Sequence, residues 1–366
     1  MIARRRVRVW AALLVLAIGP AACNSHRPSS SQGVGAIVRA SVHPAGVSWV
    51  QFADGRTALS DDAGQSWQAV RAPQPPALGA SIALSGHVMT VAAVSGTTLT
   101  VQRSGDDGAT WSSEAHELVQ PADAADVVAS PDGHEVAVAA SLPGASGATD
   151  GHAQLLIGPA EGTLVDRATP GGPDVAWSGS RLLMPGGPLR SRLYLSPDEG
   201  RSWTPQGVIG PVAPDHDVAP DAPVFGSPVS VAGGAVIPVT THTGSQTEAA
   251  LYRTTDGRTF DQIGRLSLGP DIGPGVGVVA SSYGDDSVVV ADPFSTVLHV
   301  FAGGVEHTVA GAGLPGPVDS ISFDSATDGL AQVTVRGCSR GKSDCIDELR
   351  IYRTSDGGAS WQRATP

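Results

Sequence analysis

The sequence predicts an all-β protein built from repeated four-stranded units, and three observations carry that prediction. Short runs that alternate apolar and small or polar residues, such as "EVAVAAS", "GAVIPVTT" and "SVVVAD", read as strands. No amphipathic helical pattern is found beyond the N-terminal segment. A motif, Ser/Thr-x-Asp-x-Gly-x-Ser/Thr-Trp, returns along the chain.

Four copies are complete: Ser60, Asp62, Gly64, Ser66 and Trp67; Ser104, Asp106, Gly108, Thr110 and Trp111; Ser196, Asp198, Gly200, Ser202 and Trp203; and Thr354, Asp356, Gly358, Ser360 and Trp361. A fifth, Thr254, Asp256, Gly257, Thr259 and Phe260, is one residue short and ends in Phe. The terminal aromatics lie 44, 92, 57 and 101 residues apart. The second and fourth intervals are about twice the others, so each holds a unit whose turn has degenerated. The candidates lie near Glu161 in "LLIGPAEGTLV" and near Gly304 in "LHVFAGGVEHTV". Seven β-rich units of about 48 residues are the mark of a seven-bladed β-propeller, with four-stranded antiparallel blades around a central axis. The last unit shows the layout: "VDSISF", "GLAQVTV", "LRIYRT", the acidic turn, then "SWQRA".

The residue types explain the turn. Asp and Ser/Thr bond to the turn's own backbone, Gly supplies a positive φ, and the Trp packs its apolar face between neighbouring sheets. These turns resemble the Asp boxes of bacterial neuraminidase-repeat propellers. The resemblance implies that the boxes sit on the outer part of the blades, between third and fourth strands, away from the axial face. Asp62, Asp106, Asp198, Asp256 and Asp356 are then structural, together with Trp67, Trp111, Trp203, Phe260 and Trp361.

The family includes sialidases, which need an arginine cluster, a tyrosine nucleophile backed by a glutamate, and an aspartate acid/base on axial strands. The Phe/Tyr-Arg-Ile-Pro motif of those enzymes is missing; "AIVRAS", with Arg39, lacks its aromatic and its proline. The other expected inner strands, "LGASIALS", "ADVVAS", "PDVAWS", "PVFGSP" and "GVGVVASS", contain no arginine. Tyr194, Tyr252 and Tyr352 each precede an acidic turn by two residues, on expected third strands. Tyr283 is the one tyrosine expected to face a binding surface. Asp126 and Asp174, on expected inner strands, are the carboxylates that could face the axis, and they equally suit bonding to turn backbones.

The ends and the totals bound the setting. Arg4, Arg5, Arg6 and Arg8, the apolar stretch Trp10 to Ile18, and Ala21-Ala22 form an export signal over residues 1–22. Cys23 follows Pro20-Ala21-Ala22, which resembles the lipobox of bacterial lipoproteins, with Pro20 where that family has leucine. Lipidation of Cys23 would anchor the chain at the outer face of the membrane. Ordinary cleavage to a secreted protein and an uncleaved anchor are the alternatives, and all three export the body. Residues 23–33 read as a polar tether, and 34–366 as the propeller.

Without the four signal arginines, 19 basic residues face 35 acidic ones, a charge near −16, which argues against nucleic acid as a partner. Cys338 and Cys345, in "GCSRGKSDC", read as a disulfide closing a hairpin loop in an exported chain, with Arg340 and Lys342 between them. Asp215, Asp217 and Asp221, with His216, form an oxygen-rich loop that could hold a calcium ion, although such loops are commonly just solvated. No zinc spacing, GxSxG elbow, phosphate loop or dinucleotide fingerprint is present, so no cofactor is expected.

The sequence thus reads as an exported, membrane-anchored propeller that binds a protein or glycan ligand. Within the resemblance, photosystem assembly factors and sortilin-type receptors represent this non-enzymatic branch. The alternative is a glycoside hydrolase acting on surface or host glycans, with Tyr283 and axial carboxylates as its machinery.

Overall fold

The computed structural model describes residues 37–42, 48–52, 56–70, 81–85, 88–106, 108–143, 152–187, 190–208, 222–231, 233–243, 246–269, 278–283, 287–338 and 345–366; in this set the side chains of 38, 39, 41, 84, 243, 269, 337, 338 and 345–347 are excepted. The signal, the tether, Cys23 and the loop carrying Asp215, Asp217 and Asp221 lie outside these residues, as do the side chains of Cys338 and Cys345.

Strands fall into seven antiparallel sheets, each made from one continuous stretch of chain: 37–70, 81–117, 124–167, 176–206, 224–269, 279–310 and 320–363. These are blades 1 to 7 of a β-propeller. Both degenerate turns lie between third and fourth strands, Glu161 after His152–Pro159 in blade 3, and Gly303-Gly304 after Val297–Ala302 in blade 6. The ring closes where the inner strand of blade 1, Ile37–Val42, meets blade 7, and Ser320 Oγ donates to the Val42 carbonyl at 3.5 Å.

Blade 5 departs from the pattern. Its inner strand is split into Val224–Phe225 and Val229–Val231, both paired with Gly234–Thr243. Proline is the reason: Pro228 and Pro238 lack the N–H that a continuous ladder needs. The Gly226 N–H still reaches the Pro238 carbonyl at 2.8 Å, so the strand bulges without leaving the sheet.

Apolar side chains are gathered in seven clusters, one for each seam between successive blades. Each blade therefore buries its faces only against its neighbours. Each turn aromatic joins the cluster that its blade shares with the preceding blade around the ring. Trp67 packs with Leu330 and Ile351 of blade 7, Trp111 with Trp49 of blade 1, and Trp203 with Leu155 and Ile157 of blade 3. Phe260 joins Leu193 and Leu195 of blade 4, and Trp361 joins Leu298 and Val300 of blade 6.

Candidate functional site

The acidic turns are self-contained. In blade 2, Ser104 Oγ donates to Asp106 Oδ1 at 2.8 Å and accepts from the Gly108 N–H at 2.8 Å, while Thr110 donates from its N–H and hydroxyl to Asp106 at 2.8 and 2.7 Å. The same set recurs around Asp62, Asp198 and Asp356. In the shortened turn, Asp256 Oδ1 takes the N–H groups of Arg258 and Thr259 at 2.8 Å each. These bonds favour the charged form. Hydroxyl and N–H donation from Thr110, Ser202 and Ser360 holds Asp106, Asp198 and Asp356 below the usual carboxylate range. Backbone donation from Thr259 and Arg258 lowers Asp256 further. At Asp62 partial burial opposes ionisation, and bonds from Ser66 and Ser60 outweigh it. A carboxylate that must stay ionised to hold its own turn is a poor proton shuttle.

Topology gives the ring two unlike faces. Inner strands end, and third strands run into the acidic turns, on one face; the connections that enter each inner strand lie on the other, here termed the loop face.

Inner strands are linked from blade to blade by serine. Ser81 Oγ accepts from the Val127 N–H at 3.2 Å, Ser230 Oγ from Trp177 N–H at 3.1 Å, and Ser281 Oγ from Phe323 N–H at 3.0 Å. Asp126 sits in this lattice on the strand Ala124–Ala129, where Ser81 Oγ and its neighbour's N–H at Val127 each donate to Oδ1 at 2.9 Å. Among the described inner strands, Arg39 is the one arginine.

Asp174 stands ahead of the inner strand expected to contain it, which runs from Ala176 to Ser178. In that loop its Oδ2 pairs with Arg190 Nη1 at 2.8 Å, and its Oδ1 accepts from Ser227 Oγ at 2.6 Å. Ser227 lies in the bulge of blade 5, so this cluster ties blades 4 and 5 together on the loop face. Arg190 has a left-handed backbone, φ 57°, and its Nε and Nη2 are buried with no hydrogen-bond partner. A non-glycine residue in that conformation is strained, and such strain gathers where the surrounding structure enforces a geometry. Sequence reasoning missed Arg190 and Ser227 because loop residues carry no periodicity; the only signal was the breaker run Pro185-Gly186-Gly187-Pro188 before Arg190.

Tyr283 ends the inner strand Val279–Tyr283, at the acidic-turn face. Its ring packs at 6.0 Å from that of Phe323 and belongs to the apolar cluster between blades 6 and 7. Tyr283 and Asp174 therefore lie at opposite ends of the inner strands, with Asp126 between those levels. Cys338 and Cys345 are placed opposite each other by the backbone register at the end of the long hairpin of blade 7.

No family model matches the chain, and no curated protein matches it. Solved structures share the fold. The structure described as YCF48 bound to D1 peptide has a TM-score of 0.51 and 12% identity, over 88% of this chain and 92% of that one. An uncharacterized protein, lmo1340, from Listeria monocytogenes EGD-e has a TM-score of 0.51 and 12% identity, over 81% and 89%.

Proposed function

We propose that this chain is an exported Asp-box propeller, anchored through a lipid on Cys23, which binds a polypeptide partner on its loop face. The observation that carries the reading is the Asp174, Arg190 and Ser227 cluster, which presents two charges and a hydroxyl there and bridges two blades. A carboxylate, a guanidinium and a hydroxyl are groups that recognise peptide backbone and charged side chains. The peptide-bound YCF48 structure gives the same fold a precedent for holding a polypeptide. The hydrolase alternative needs Tyr283 beside Asp126 or Asp174, and the fold separates Tyr283 from Asp174 along the inner strands.

A photo-crosslinking residue placed at Ser227 in the full chain, in intact cells, tests the reading. A protein adduct there, missing when the same residue replaces Thr110 on the other face, is expected. Turnover of a fluorogenic glycoside panel that disappears in Tyr283→Phe would replace this reading with the hydrolase.

A further inference from the structure

Aromatics from acidic turns enter five seams of the ring. At the two others, Ala160 is buried between blades 2 and 3, and Gly304, with nothing within 4 Å of an added Cβ, leaves the space between blades 5 and 6 open. The seam where the ring closes is different again. It has its aromatic, Trp67, yet a space of about 420 Å³ remains there between the acidic turns of blades 7 and 1. The lining is polar, with the amides of Gln65 and Gln362 and several hydroxyls, and among the described residues only Ala364 and Pro366 give it wholly apolar side chains.

Trp67 is half-buried: it packs with Leu330 and Ile351 across the seam and also lines this space. In the turns of blades 2 and 7 the indole N–H is used locally, Trp111 Nε1 donating to the Gly108 carbonyl at 3.1 Å and Trp361 Nε1 to that of Gly358 at 2.9 Å. Trp67 Nε1 is buried and has no acceptor among the described residues. A buried donor left in that state is costly, and an acceptor brought by a ligand relieves it. Charge does not choose that ligand. Arg353 lies 3.8 Å from Asp328 and Arg363 lies 2.8 Å from Glu348, so both guanidiniums of the lining already face carboxylates of the chain. What is left for a visitor is neutral: the indole with its unused N–H, the exposed amide of Gln362, and the exposed hydroxyls of Ser355 and Thr365.

We propose that this space binds a neutral saccharide, with a pyranose ring against the Trp67 indole. A pyranose offers a C–H face to an aromatic ring and a rim of hydroxyls, each both donor and acceptor, to amides, hydroxyls and an unused N–H. An apolar side chain of a polypeptide calls for an apolar pocket, and this lining is the reverse. A dry cavity of roughly 150 Å³ holds benzene, so 420 Å³ has room for more than one sugar ring. No carboxylate is found among the described lining residues, and glycoside cleavage uses a pair of them, so the sugar is held and not cut. This site lies on the acidic-turn face and does not depend on which partner the loop face takes.

The test uses the purified full-length protein and saturation-transfer NMR. The neutral probes are methyl β-D-glucopyranoside, methyl β-D-galactopyranoside, methyl α-D-mannopyranoside and N-acetyl-D-glucosamine; methyl β-D-glucuronate and N-acetyl-triglycine amide stand for an acidic sugar and a peptide. At least one neutral sugar should bind with a Kd on the order of 1 mM, as suits so small a probe. Trp67→Phe keeps a ring in the seam while deleting the N–H, and should weaken that binding about fivefold, as should Gln362→Ala at the exposed rim. Ser355→Trp, which fills the space from its rim, should abolish binding; Thr365→Trp does the same and serves if Ser355→Trp fails to fold by circular dichroism. No signal from any neutral sugar at about 20 mM, binding unaltered in Trp67→Phe or in a folded space-filling variant, or signal from the glucuronate or the peptide alone, would overturn the proposal.

Discussion

Gly64 of blade 1 lies against Leu330 of blade 7, so closely that a Cβ on Gly64 would come within 2.6 Å of Leu330 Cδ2. The contact is where the ring closes, and it repeats around the ring: Gly108 meets Val70 of blade 1, Gly200 meets Ile157 of blade 3, Gly257 meets Leu195 of blade 4, and Gly358 meets Leu298 of blade 6. The glycine of each acidic turn thus lets its hairpin seat on the preceding blade. Gly64→Ala is expected to destabilise by about 2–4 kcal/mol, from a positive φ of 75° and an overpacked contact together. Gly303→Ala, with φ 57° and no neighbour, should cost only about 1 kcal/mol. Urea denaturation of the two variants measures the difference, and equal losses would show that the seat against Leu330 contributes nothing.

Trp361 is expected to hold the seam between blades 6 and 7. It is buried, stacks edge-on to Phe323 at 6.1 Å, and donates from Nε1 to the Gly358 carbonyl at 2.9 Å. Trp361→Ala should cost about 3–5 kcal/mol. Trp361→Phe keeps most of the packing and should cost nearer 1 kcal/mol for the lost hydrogen bond and smaller ring. Thermal melts compare the two, and equal losses would place the stabilisation in the bond, which both variants lack, rather than in the packing.

Acid should weaken the ring through its turns. Asp62, Asp106, Asp198, Asp256 and Asp356 have folded pKa values below that of a free Asp. A carboxyl of this kind contributes stability that is complete above its unfolded value, about 3.9, and is lost as pH falls through the folded value. The melting temperature should therefore hold from pH 7 down to about pH 4 as far as these groups are concerned, and drop steeply below. In Asp106→Asn the drop between pH 4 and pH 2 should be shallower than in the parent; an unchanged slope would remove Asp106 from the account.

Glu135 has the opposite sign. Burial first, then the charges of Glu199 and Asp132, hold its carboxyl above the usual range. Its proton is bound more tightly in the folded state, so its contribution is favourable below the unfolded pKa and is lost as pH rises through the folded one. Glu135→Gln should consequently raise the melting temperature at pH 7 and leave it unaltered near pH 4, where the parent's carboxyl is already protonated. A gain of equal size at both pH values would point to packing instead of charge.

Arg190 allows stability and binding to be separated. Arg190→Gly relieves the left-handed backbone while removing an ion pair that is only half-buried, so stability should be unchanged or rise by up to about 1 kcal/mol. Adduct formation by the crosslinker at Ser227 should nevertheless fall. A stable variant that crosslinks as well as the parent would exclude Arg190 from the interface.

Much of this architecture could be read from particular residues. The spacing of Trp67, Trp111, Trp203, Phe260 and Trp361 implied two hidden units, and blades 3 and 6 lie where those gaps fall. Turn chemistry was readable because it is local: Ser104, Asp106, Gly108 and Thr110 satisfy one another within six residues. The inner strand expected at Asp174 was misplaced by two residues, since a three-residue strand such as Ala176–Ser178 is too short for alternation to mark its start.

By itself, then, the sequence determined the strand-rich repeat, the number of blades and the fastening role of the acidic turns, because those properties depend on side chains a few residues apart. The tertiary structure alone decided which seams are sealed and what meets on each face. Ala160 fills one gap and Gly304 leaves another open, and Ser227 reaches Asp174 across 53 positions of chain. Such relations arise only when the ring closes and sets blade against blade, so no local pattern in the sequence can announce them.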